Sequence, residues 1–282
     1  DIYSMAKDLS FDGIEIRGLG DDIDAVRAKP FTAGQLNKTI AKLSSLKLEI
    51  PCLSSGCCLK FKENYESNKT EITRYIELAG KLSTPYIRIL ADLEPAPSGE
   101  VDDDYVEGVL KELAVIAADK NVILLVETNG VYADTKRLRK LLDAVGSKNV
   151  SALWDIHHTY RYFNESADDT VGNLGSYIRY IHVKDSIMVN GKPEYRMMGE
   201  GDMPLDDIFG ELIKSGYDGY ISLEWVKRWA SDLYDAGIVF PQFANYMSRF
   251  RNEKVRILQD NKSGTGKYIW QKDMLIDETF PD

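Results

Sequence analysis

Short apolar runs alternate with longer amphipathic stretches along most of the chain. The runs are rich in Ile, Val, Leu and Tyr and are continuous, which is typical of strands that are buried on both faces. The stretches between them repeat apolar residues at helical spacing. We predict seven strands, at Gly13–Arg17, Leu48–Leu53, Tyr86–Ala91, Val122–Glu127, Val150–Asp155, Tyr180–Lys184 and Tyr220–Glu224.

Six helices are predicted between these strands, at Thr32–Leu46, Glu66–Leu82, Asp103–Ala118, Thr135–Val145, Asp168–Ile178 and Leu205–Ser215. In the first of them, Thr32 is a candidate N-cap, and Leu36, Ile40 and Leu43 fall on one face. Strands that alternate with helices indicate βα units, a parallel sheet and right-handed crossovers. The pattern therefore predicts an α/β fold.

The length of 282 residues suits one (β/α)₈ barrel, the TIM barrel, which typically has about 250 residues. Seven strands are counted instead of eight, and the amphipathic segment Ile2–Leu9 indicates the first helix. We therefore expect the first strand of the barrel to precede Asp1. An open, doubly wound α/β sheet is the alternative.

The alternation of strands and helices stops near residue 250. We expect residues 1–250 to form the barrel and residues 251–282 to form a linker or tail. Residues 262–266 have a turn-forming composition, and Tyr268–Asp282 faintly resembles the entry to an adenylate-forming enzyme domain. A further C-terminal domain, fused to the barrel, is therefore an open prediction.

Composition narrows the classes of partner. A net charge of −10 argues against a nucleic-acid partner, whose binding depends on clustered Lys and Arg. Cys52, Cys57 and Cys58 lack the spacing of a thiolate metal site or a disulfide framework. No apolar run is long enough to span a bilayer, and no signal peptide is visible. We expect a cytoplasmic protein with no membrane partner, and a homo-oligomer is left open.

Four successive predicted strands carry a carboxylate or an imidazole near their carboxyl ends: Glu127, Asp155, His182 and Glu224. In a parallel barrel those ends converge on the face that holds the active site. Three carboxylates and one imidazole suit Mn²⁺, Mg²⁺ or Co²⁺. For any one of these residues, helix capping or solvation is the simpler interpretation. All four together favour a metal site, because charged groups that end apolar strands are costly unless they are paired or metal-bound.

All three histidines lie in two of these strand-end motifs. His157 is expected to be a packing residue, whereas His158, three residues after Asp155, is the better functional candidate. Lys184 follows His182 closely and is a candidate substrate contact. Asp185 is expected to hold the residues that bind the metal or substrate in place, without binding either itself.

Three further charged residues can point into the mouth of the barrel: Glu15, Arg17 and Arg88. Two arginines at that position would suit a phosphate or a carboxylate. The competing interpretation, that they pair with the acids at the strand ends, is slightly favoured.

These motifs resemble the xylose isomerase-like superfamily of sugar phosphate isomerases and epimerases. It includes ketohexose 3-epimerases, hydroxypyruvate isomerases, inosose and dehydroshikimate dehydratases, and the endonuclease IV group. The similarity runs from residue 12 to about residue 250. The matching segments are Val-Glu-Thr-Asn at 126–129, Trp-Asp-Ile-His-His at 154–158, Ile-His-Val-Lys-Asp at 181–185, Gly-Glu-Gly-Asp at 199–202 and Gly-Tyr-Asp-Gly-Tyr-Ile-Ser-Leu-Glu at 216–224.

The resemblance implies one divalent ion on the four strand-end residues, with Mn²⁺ ranked first and Mg²⁺, Co²⁺ or Zn²⁺ as alternatives. It implies that Glu127 and Glu224 face each other across the substrate and exchange protons with it. It also makes His158 and Arg196 substrate contacts, to which Lys184 and Glu15 are added as weaker candidates. The chain has no further histidines for the three-metal cluster of the endonuclease branch, which argues against DNA repair.

The first functional hypothesis is a metal-dependent isomerase or epimerase of a small polyhydroxy ketone or aldehyde, phosphorylated or not. It would move a proton alpha to the carbonyl through a metal-stabilised enediolate. Loss of a β-hydroxyl from the same intermediate would instead make the chain a dehydratase of the inosose or dehydroshikimate type. The third hypothesis is a ligand-binding barrel module that serves a fused enzyme.

Overall fold

The computed structural model of the protein describes residues 2–260. Its α-helices are α1 (Ile2–Asp8), α2 (Leu36–Leu46), α3 (Tyr65–Leu82), α4 (Asp103–Ala118), α5 (Thr135–Val145), α6 (Ile156–Phe163), α7 (Ala167–Leu174), α8 (Leu205–Ser215) and α9 (Ala236–Asp260). Its strands are β1 (Cys52–Cys58), β2 (Tyr86–Leu90), β3 (Ile123–Glu127), β4 (Val150–Asp155), β5 (Ile178–Val183), β6 (Asp185–Val189), β7 (Lys192–Arg196) and β8 (Tyr220–Leu223).

Six of the strands form one parallel sheet in the order β1-β2-β3-β4-β5-β8. The connections between neighbouring strands contain helices α3 to α8, as the alternating pattern of the sequence predicted. The strands are buried on both faces, and β4 has no exposed residue along its whole length. Because all six strands run in the same direction, their carboxyl ends lie together at one face of the sheet.

Strands β6 and β7 form a separate antiparallel hairpin inserted between β5 and α8. The sequence analysis missed this hairpin. A local signal was present, because Asn190 and Gly191 join the two strands and both have positive φ angles, of 50° and 76°. An Asn-Gly pair is the favoured connection of a tight hairpin.

The two most N-terminal predicted strands differ from the structure. Gly13–Arg17 forms isolated parallel bridges, Gly13 with Glu49 and Ile16 with Leu53, and is not a continuous strand. The strand predicted at Leu48–Leu53 begins instead at Cys52, where pairing with β2 starts. The apolar residues Leu48 and Ile50 are buried, but by packing ahead of the strand.

A seam separates the segment 13–17 from β8. Within the described residues, β8 pairs with β5, and the segment 13–17 pairs with residues at and just before the start of β1. A cavity of about 240 Å³ lies between them, and its apolar wall includes Ile14, Leu223, Phe240 and Phe243. The first strand that we expected before Asp1 remains a prediction.

The predicted helices agree with the structure except at their ends. Helix α2 begins at Leu36 and not at Thr32, because the Thr32 hydroxyl donates to the Lys29 carbonyl and closes a preceding turn at 2.9 Å. Helix α7 ends at Leu174, before Gly175, whose φ is 50°. The helix expected at Ile2–Leu9 is confirmed as α1.

The expected boundary at residue 250 falls inside α9, which continues to Asp260. The predicted turn-rich linker at 262–266 and the segment Tyr268–Asp282 lie outside the described residues, so the tail and the fused domain stay predictions. The three cysteines are free and buried. Among residues 2–260, no helix has the length and apolar character needed to cross a membrane.

Candidate metal centre

The carboxyl ends of β3, β4, β5 and β8 bring the four predicted ligands together. Asp155 and His182 are direct partners in the parallel ladder, Glu127 is the last residue of β3, and Glu224 follows β8. One ligand atom from each residue lies within 4.8 Å of the others. Three of the side chains are buried, and that of Glu224 is 27% exposed. This group can hold a metal ion.

Glu15 fixes the ring of His182. The Nε2 atom of His182 lies 3.0 and 2.9 Å from the two carboxylate oxygens of Glu15. The Nδ1 atom lies 3.4 Å from Glu127 Oε1 and 3.9 Å from Glu224 Oε1, and it is buried with no hydrogen-bond partner. A histidine held by a carboxylate at one nitrogen, with its other nitrogen turned towards further carboxylates, has the geometry of a metal ligand.

The charges around His182 control its protonation. Burial alone would lower its pKa, but the negative charges of Glu15 and Glu224 outweigh burial and raise the pKa well above its ordinary value. Without a metal ion the ring is therefore an imidazolium at neutral pH. A metal ion would have to displace that proton, because only an unprotonated nitrogen binds metal.

Asp155 uses its two oxygens for different purposes. Oδ1 accepts from the backbone N–H groups of His157 and His158, at 2.9 and 3.2 Å, and so caps helix α6. Oδ2 accepts a hydrogen bond from the ammonium of Lys184. Helix capping and a place in the ligand cluster, which we had treated as competing interpretations, are therefore combined in one carboxylate.

Arg88 holds Glu127 in its ionised form. The Arg88 Nε atom lies 3.2 Å from Glu127 Oε2, and both side chains are nearly inaccessible. Burial would raise the pKa of Glu127, but Arg88 and His182 lower it to about 2. The interpretation that Arg88 pairs with a strand-end acid is confirmed.

Lys184 joins two of the ligand carboxylates. Its buried ammonium donates to Asp155 Oδ2 and to Glu224 Oε2. Burial would lower the pKa of Lys184, but the two carboxylates outweigh it and raise the pKa. Burial would likewise raise the pKa of Glu224, whereas Lys184 and His182 lower it. Both groups are therefore charged at neutral pH.

A pocket of about 460 Å³ opens onto this cluster, and that volume lies within the usual range of small-molecule sites. Its polar lining includes Glu127, Glu224, Lys184 and His158. Apolar and aromatic side chains cover the other walls: Leu90, Leu93, Pro95, Tyr195, Val226 and Trp229. The sequence analysis had not singled out Asn129, which lines the pocket and binds the carbonyls of residues 92–94.

His158 lines this pocket as an uncharged acceptor. Its Nδ1 atom lies 3.0 Å from the carbonyl oxygen of Thr128, so Nδ1 carries the proton and Nε2, which lies 3.5 Å from Asp155 Oδ2, carries the lone pair. Burial lowers the pKa of His158, and Lys184 adds to that effect, although Asp155 opposes it. The ring is therefore neutral at pH 7 and can accept a hydrogen bond from a hydroxyl.

Two of the predicted substrate contacts lie away from the pocket. Arg196 binds Glu194 at 2.8 Å and lines an adjacent cavity of about 700 Å³, between the β6–β7 hairpin and the loop 225–234. Its neighbour Tyr195 lines both cavities. Glu15 contacts Ser54 at 2.5 Å and His182, so its contacts are those of a residue that positions a ligand.

Asp185 organises the loop that carries the Gly-Glu-Gly-Asp motif. Its buried carboxylate accepts from the N–H groups of Ser186, Gly199, Gly201 and Met203, at distances from 2.8 to 3.3 Å. A Cβ atom at position 201 would lie 2.1 Å from Asp185 Oδ1, so only glycine fits there. Asp185 therefore supports this loop and does not contact the ligand cluster directly.

A parallel sheet with a cluster of acidic residues and histidine at its carboxyl ends defines a TIM barrel with a candidate metal site. The model of the family described as "Xylose isomerase-like TIM barrel" matches residues 4–240. The chain belongs to this family, and its fold is a TIM barrel; the open-sheet alternative is set aside. An uncharacterized protein of Methanocaldococcus jannaschii is 30% identical over 122 residues, which is 41% of either chain.

Solved structures share the fold at low sequence identity. D-psicose 3-epimerase with D-tagatose, from Clostridium cellulolyticum H10, is 17% identical, with a TM-score of 0.71 over 89% of this chain and 92% of its own. A xylose isomerase-like TIM barrel protein of Mycobacterium smegmatis in complex with magnesium is 16% identical (TM-score 0.69; 90% and 88%). The probable 3-DHS dehydratase of Bacillus anthracis is 19% identical (TM-score 0.67; 88% and 92%).

Proposed function

We propose that this protein is a metal-dependent isomerase or epimerase of a small polyhydroxy ketone or aldehyde. The observation that carries the proposal is the cluster of Glu127, Asp155, His182 and Glu224 beneath one pocket of small-molecule size. Epimerases and a magnesium-bound protein among the structural neighbours support it.

The donor set fits a hard divalent ion. The four ligand atoms are within 4.8 Å of one another, and the buried Nδ1 of His182 has no other partner. Three carboxylates and one imidazole suit Mn²⁺, Mg²⁺ or Co²⁺, and we rank Mn²⁺ first.

When bound, the ion would supply Lewis acidity, which stabilises negative charge on the substrate's carbonyl oxygen. The proton transfers fall to Glu127 and Glu224, because both are ionised at neutral pH and both line the pocket. Glu127 removes the proton alpha to the carbonyl and becomes a carboxylic acid. Glu224 receives a proton from the Lys184 ammonium that is hydrogen-bonded to it, and returns that proton to the same carbon from the opposite face. Return of the proton to the adjacent carbon gives isomerisation instead.

The remaining residues orient the substrate and keep the site dry. The unprotonated Nε2 of His158 can accept from a substrate hydroxyl, and the ammonium of Lys184 can donate to an oxygen. Trp229 and Val226 cover the pocket with apolar surface, which limits access of water to the reacting carbon. Glu15 acts through His182 as a positioning residue.

A dehydratase on the same site is the second candidate. The observation that favours it is Lys184, a buried acid beside Glu224 that can protonate a departing hydroxyl. The probable 3-DHS dehydratase among the structural neighbours supports it as well. The ligand-binding module for a fused enzyme depends on Tyr268–Asp282 and remains a hypothesis.

Proton exchange in D₂O separates these activities. The Mn²⁺-loaded protein is incubated with a panel of ketoses, aldoses, inososes and their acids, and products are followed by NMR. Deuterium at the carbon alpha to the carbonyl, with a new epimer or isomer, supports the first proposal, whereas an absorbing enone and loss of water support the dehydratase. Glu127→Gln or Glu224→Gln should lower either rate by about 10³-fold.

Glu94→Gln is the matched control, because Glu94 is an exposed acid on the rim of the same pocket. Its rate should stay within about twofold of the parent. Exchange of the α proton at the parent rate in the Glu127→Gln and Glu224→Gln variants would contradict the proton-transfer roles assigned to these residues.

A further inference from the structure

Arg17 is the one cation lining the metal pocket that the described residues leave without an acidic partner. It is partly buried and shares the pocket lining with Glu127 and Glu224. Its hydrogen bond runs from Nη1 to the carbonyl oxygen of Ile23 at 3.1 Å. Within the described part of the chain, its guanidinium forms no ion pair with a carboxylate.

The other two cations that line the pocket are neutralised. Arg88 pairs with one buried carboxylate, and Lys184 pairs with two. Arg17 lies close enough to Arg88 for their charges to repel, and burial together with this repulsion lowers the pKa of Arg17. A guanidinium beside another one, in a partly closed pocket, is costly unless an anion lies with them.

The outer nitrogen of Arg17 lies beside the backbone at Gly56. Gly56 lies where the register of β1 shifts, and a Cβ atom there would sit 3.6 Å from Arg17 Nη2. The acid on this side, Glu71, accepts a hydrogen bond from the Gly56 N–H at 2.6 Å. Its negative charge attracts Arg17, but within the described residues the two side chains form no ion pair. Within the described residues Nη2 of Arg17 has no hydrogen-bond partner, and the side chain lines the pocket, so Nη2 can donate to a ligand there.

We propose that Arg17, aided by the charge of Arg88, binds an anionic group of the substrate, so that the substrate is an acidic polyhydroxy carbonyl compound. The anionic group is a carboxylate or a phosphate, either of which a guanidinium binds through paired hydrogen bonds. This inference rests on the proposed function for the position of the reacting carbon. The anion site itself stands on Arg17 and its surroundings.

Matched neutral and charged sugars test this site by binding alone. Calorimetry at low ionic strength compares D-ribulose with D-ribulose 5-phosphate, and D-glucose with D-glucuronate, using Mn²⁺-loaded protein. We expect the charged member of at least one pair to bind tenfold or more tightly than the neutral member. Preference within the first pair identifies a phosphate, and preference within the second identifies a carboxylate.

Three variants locate the preference. Arg17→Gln should remove it while leaving the affinity for the neutral sugar unchanged, and Arg17→Lys should keep part of it. Arg228→Gln is the control, because Arg228 is an exposed arginine whose charge acts on Arg17 but which does not line the pocket. Equal binding of charged and neutral sugars in the parent, or a preference that survives in Arg17→Gln, would overturn the proposal.

Metal content and α-proton exchange, measured on the same samples, keep the two proposals apart. A parent protein that holds metal and exchanges protons, yet shows no charge preference, contradicts the anion site alone. A parent that shows the Arg17-dependent preference but neither holds metal nor exchanges protons contradicts the proposed function and leaves the anion site standing.

Discussion

The two ends of the pocket balance their charges in different ways. At the metal end, each carboxylate faces a cation: Glu127 faces Arg88, and Asp155 and Glu224 share Lys184. At the other end, Arg17 donates to a backbone carbonyl, and Glu71 attracts it from a distance without forming an ion pair among the described residues. Both ends line the same pocket.

The comparison shows which ligand each end is built to receive. The carboxylates at the metal end outnumber the cations that hold them, so this end can exchange an ammonium or imidazolium contact for a metal ion. At the Arg17 end, a guanidinium that forms no ion pair within the described residues lies near a second one, Arg88, and this arrangement favours an anion. If this account is correct, removal of a cation should lower the free energy of unfolding strongly at the metal end and hardly change it at the Arg17 end.

The largest effect on stability is expected for Lys184→Met. The variant leaves Asp155 and Glu224 facing each other without the ammonium, and loss of one partner of a buried ion pair costs about 3–5 kcal/mol. In EDTA the free energy of unfolding should fall by about that amount, and saturating Mn²⁺ should restore most of it. Denaturant unfolding with and without metal checks this.

Lys214→Met is the control for that experiment, because its side chain is 69% exposed. It should change the free energy of unfolding by less than about 0.5 kcal/mol. A Lys184→Met variant that is as stable as the parent in EDTA would mean that the ammonium does not hold the two carboxylates.

The contrast between the ends is sharpest for the two arginines. Arg88→Met should cost about 3 kcal/mol, because it leaves Glu127 buried without its partner. Arg17→Gln should cost less than about 0.5 kcal/mol, because no ion pair is lost. Denaturant unfolding in EDTA measures the free energy of unfolding of both variants. Equal losses of this free energy would show that the two ends of the pocket do not differ in the way proposed.

Metal affinity should depend on pH through His182. Its pKa is raised, so the ring is protonated at neutral pH and must lose a proton to bind metal. The affinity for Mn²⁺ should therefore rise about tenfold per pH unit until the pH reaches that pKa, and then level off. Glu127 and Glu224 have lowered pKa values and stay ionised throughout, so they add no slope.

In the Glu15→Gln variant the affinity for Mn²⁺ should level off at a lower pH than in the parent, because the substitution removes the largest charge that stabilises the His182 imidazolium. Calorimetry with Mn²⁺ from pH 5.5 to 8.5 measures both curves. An affinity of the parent that does not change over this range would show that His182 does not exchange a proton for the metal.

The smallest effect is expected for Arg196→Met. Arg196 lines the adjacent cavity and binds Glu194, so its loss should change KM of the substrate found in the exchange screen by less than about threefold. A rise in KM of tenfold or more would restore Arg196 as a substrate contact, as the sequence resemblance implied.

The ligand cluster could be predicted from sequence because each member ends an apolar strand. Parallel strands bring their carboxyl ends together whatever the details of the loops. The bounds of α4, α5 and α8 were also predicted in full, because apolar periodicity and acidic or glycine caps mark their ends.

Contacts between distant parts of the chain could not be predicted in this way. Glu15 and His182 are 167 residues apart, and their contact depends on how the segment 13–17 is placed relative to β5. The position of Arg196 depends on the β6–β7 hairpin, which turns it towards Glu194. Both contacts arise from tertiary packing, which the local periodicity of the sequence does not encode.

The metal content of the protein tests the central claim most directly. Protein purified without chelator and soaked in Mn²⁺ is compared by elemental analysis with a Glu127→Gln, Glu224→Gln double variant of confirmed fold. The account predicts about one divalent ion per chain in the parent and none in the double variant. No metal in the parent after soaking, or equal metal in both proteins, would contradict it.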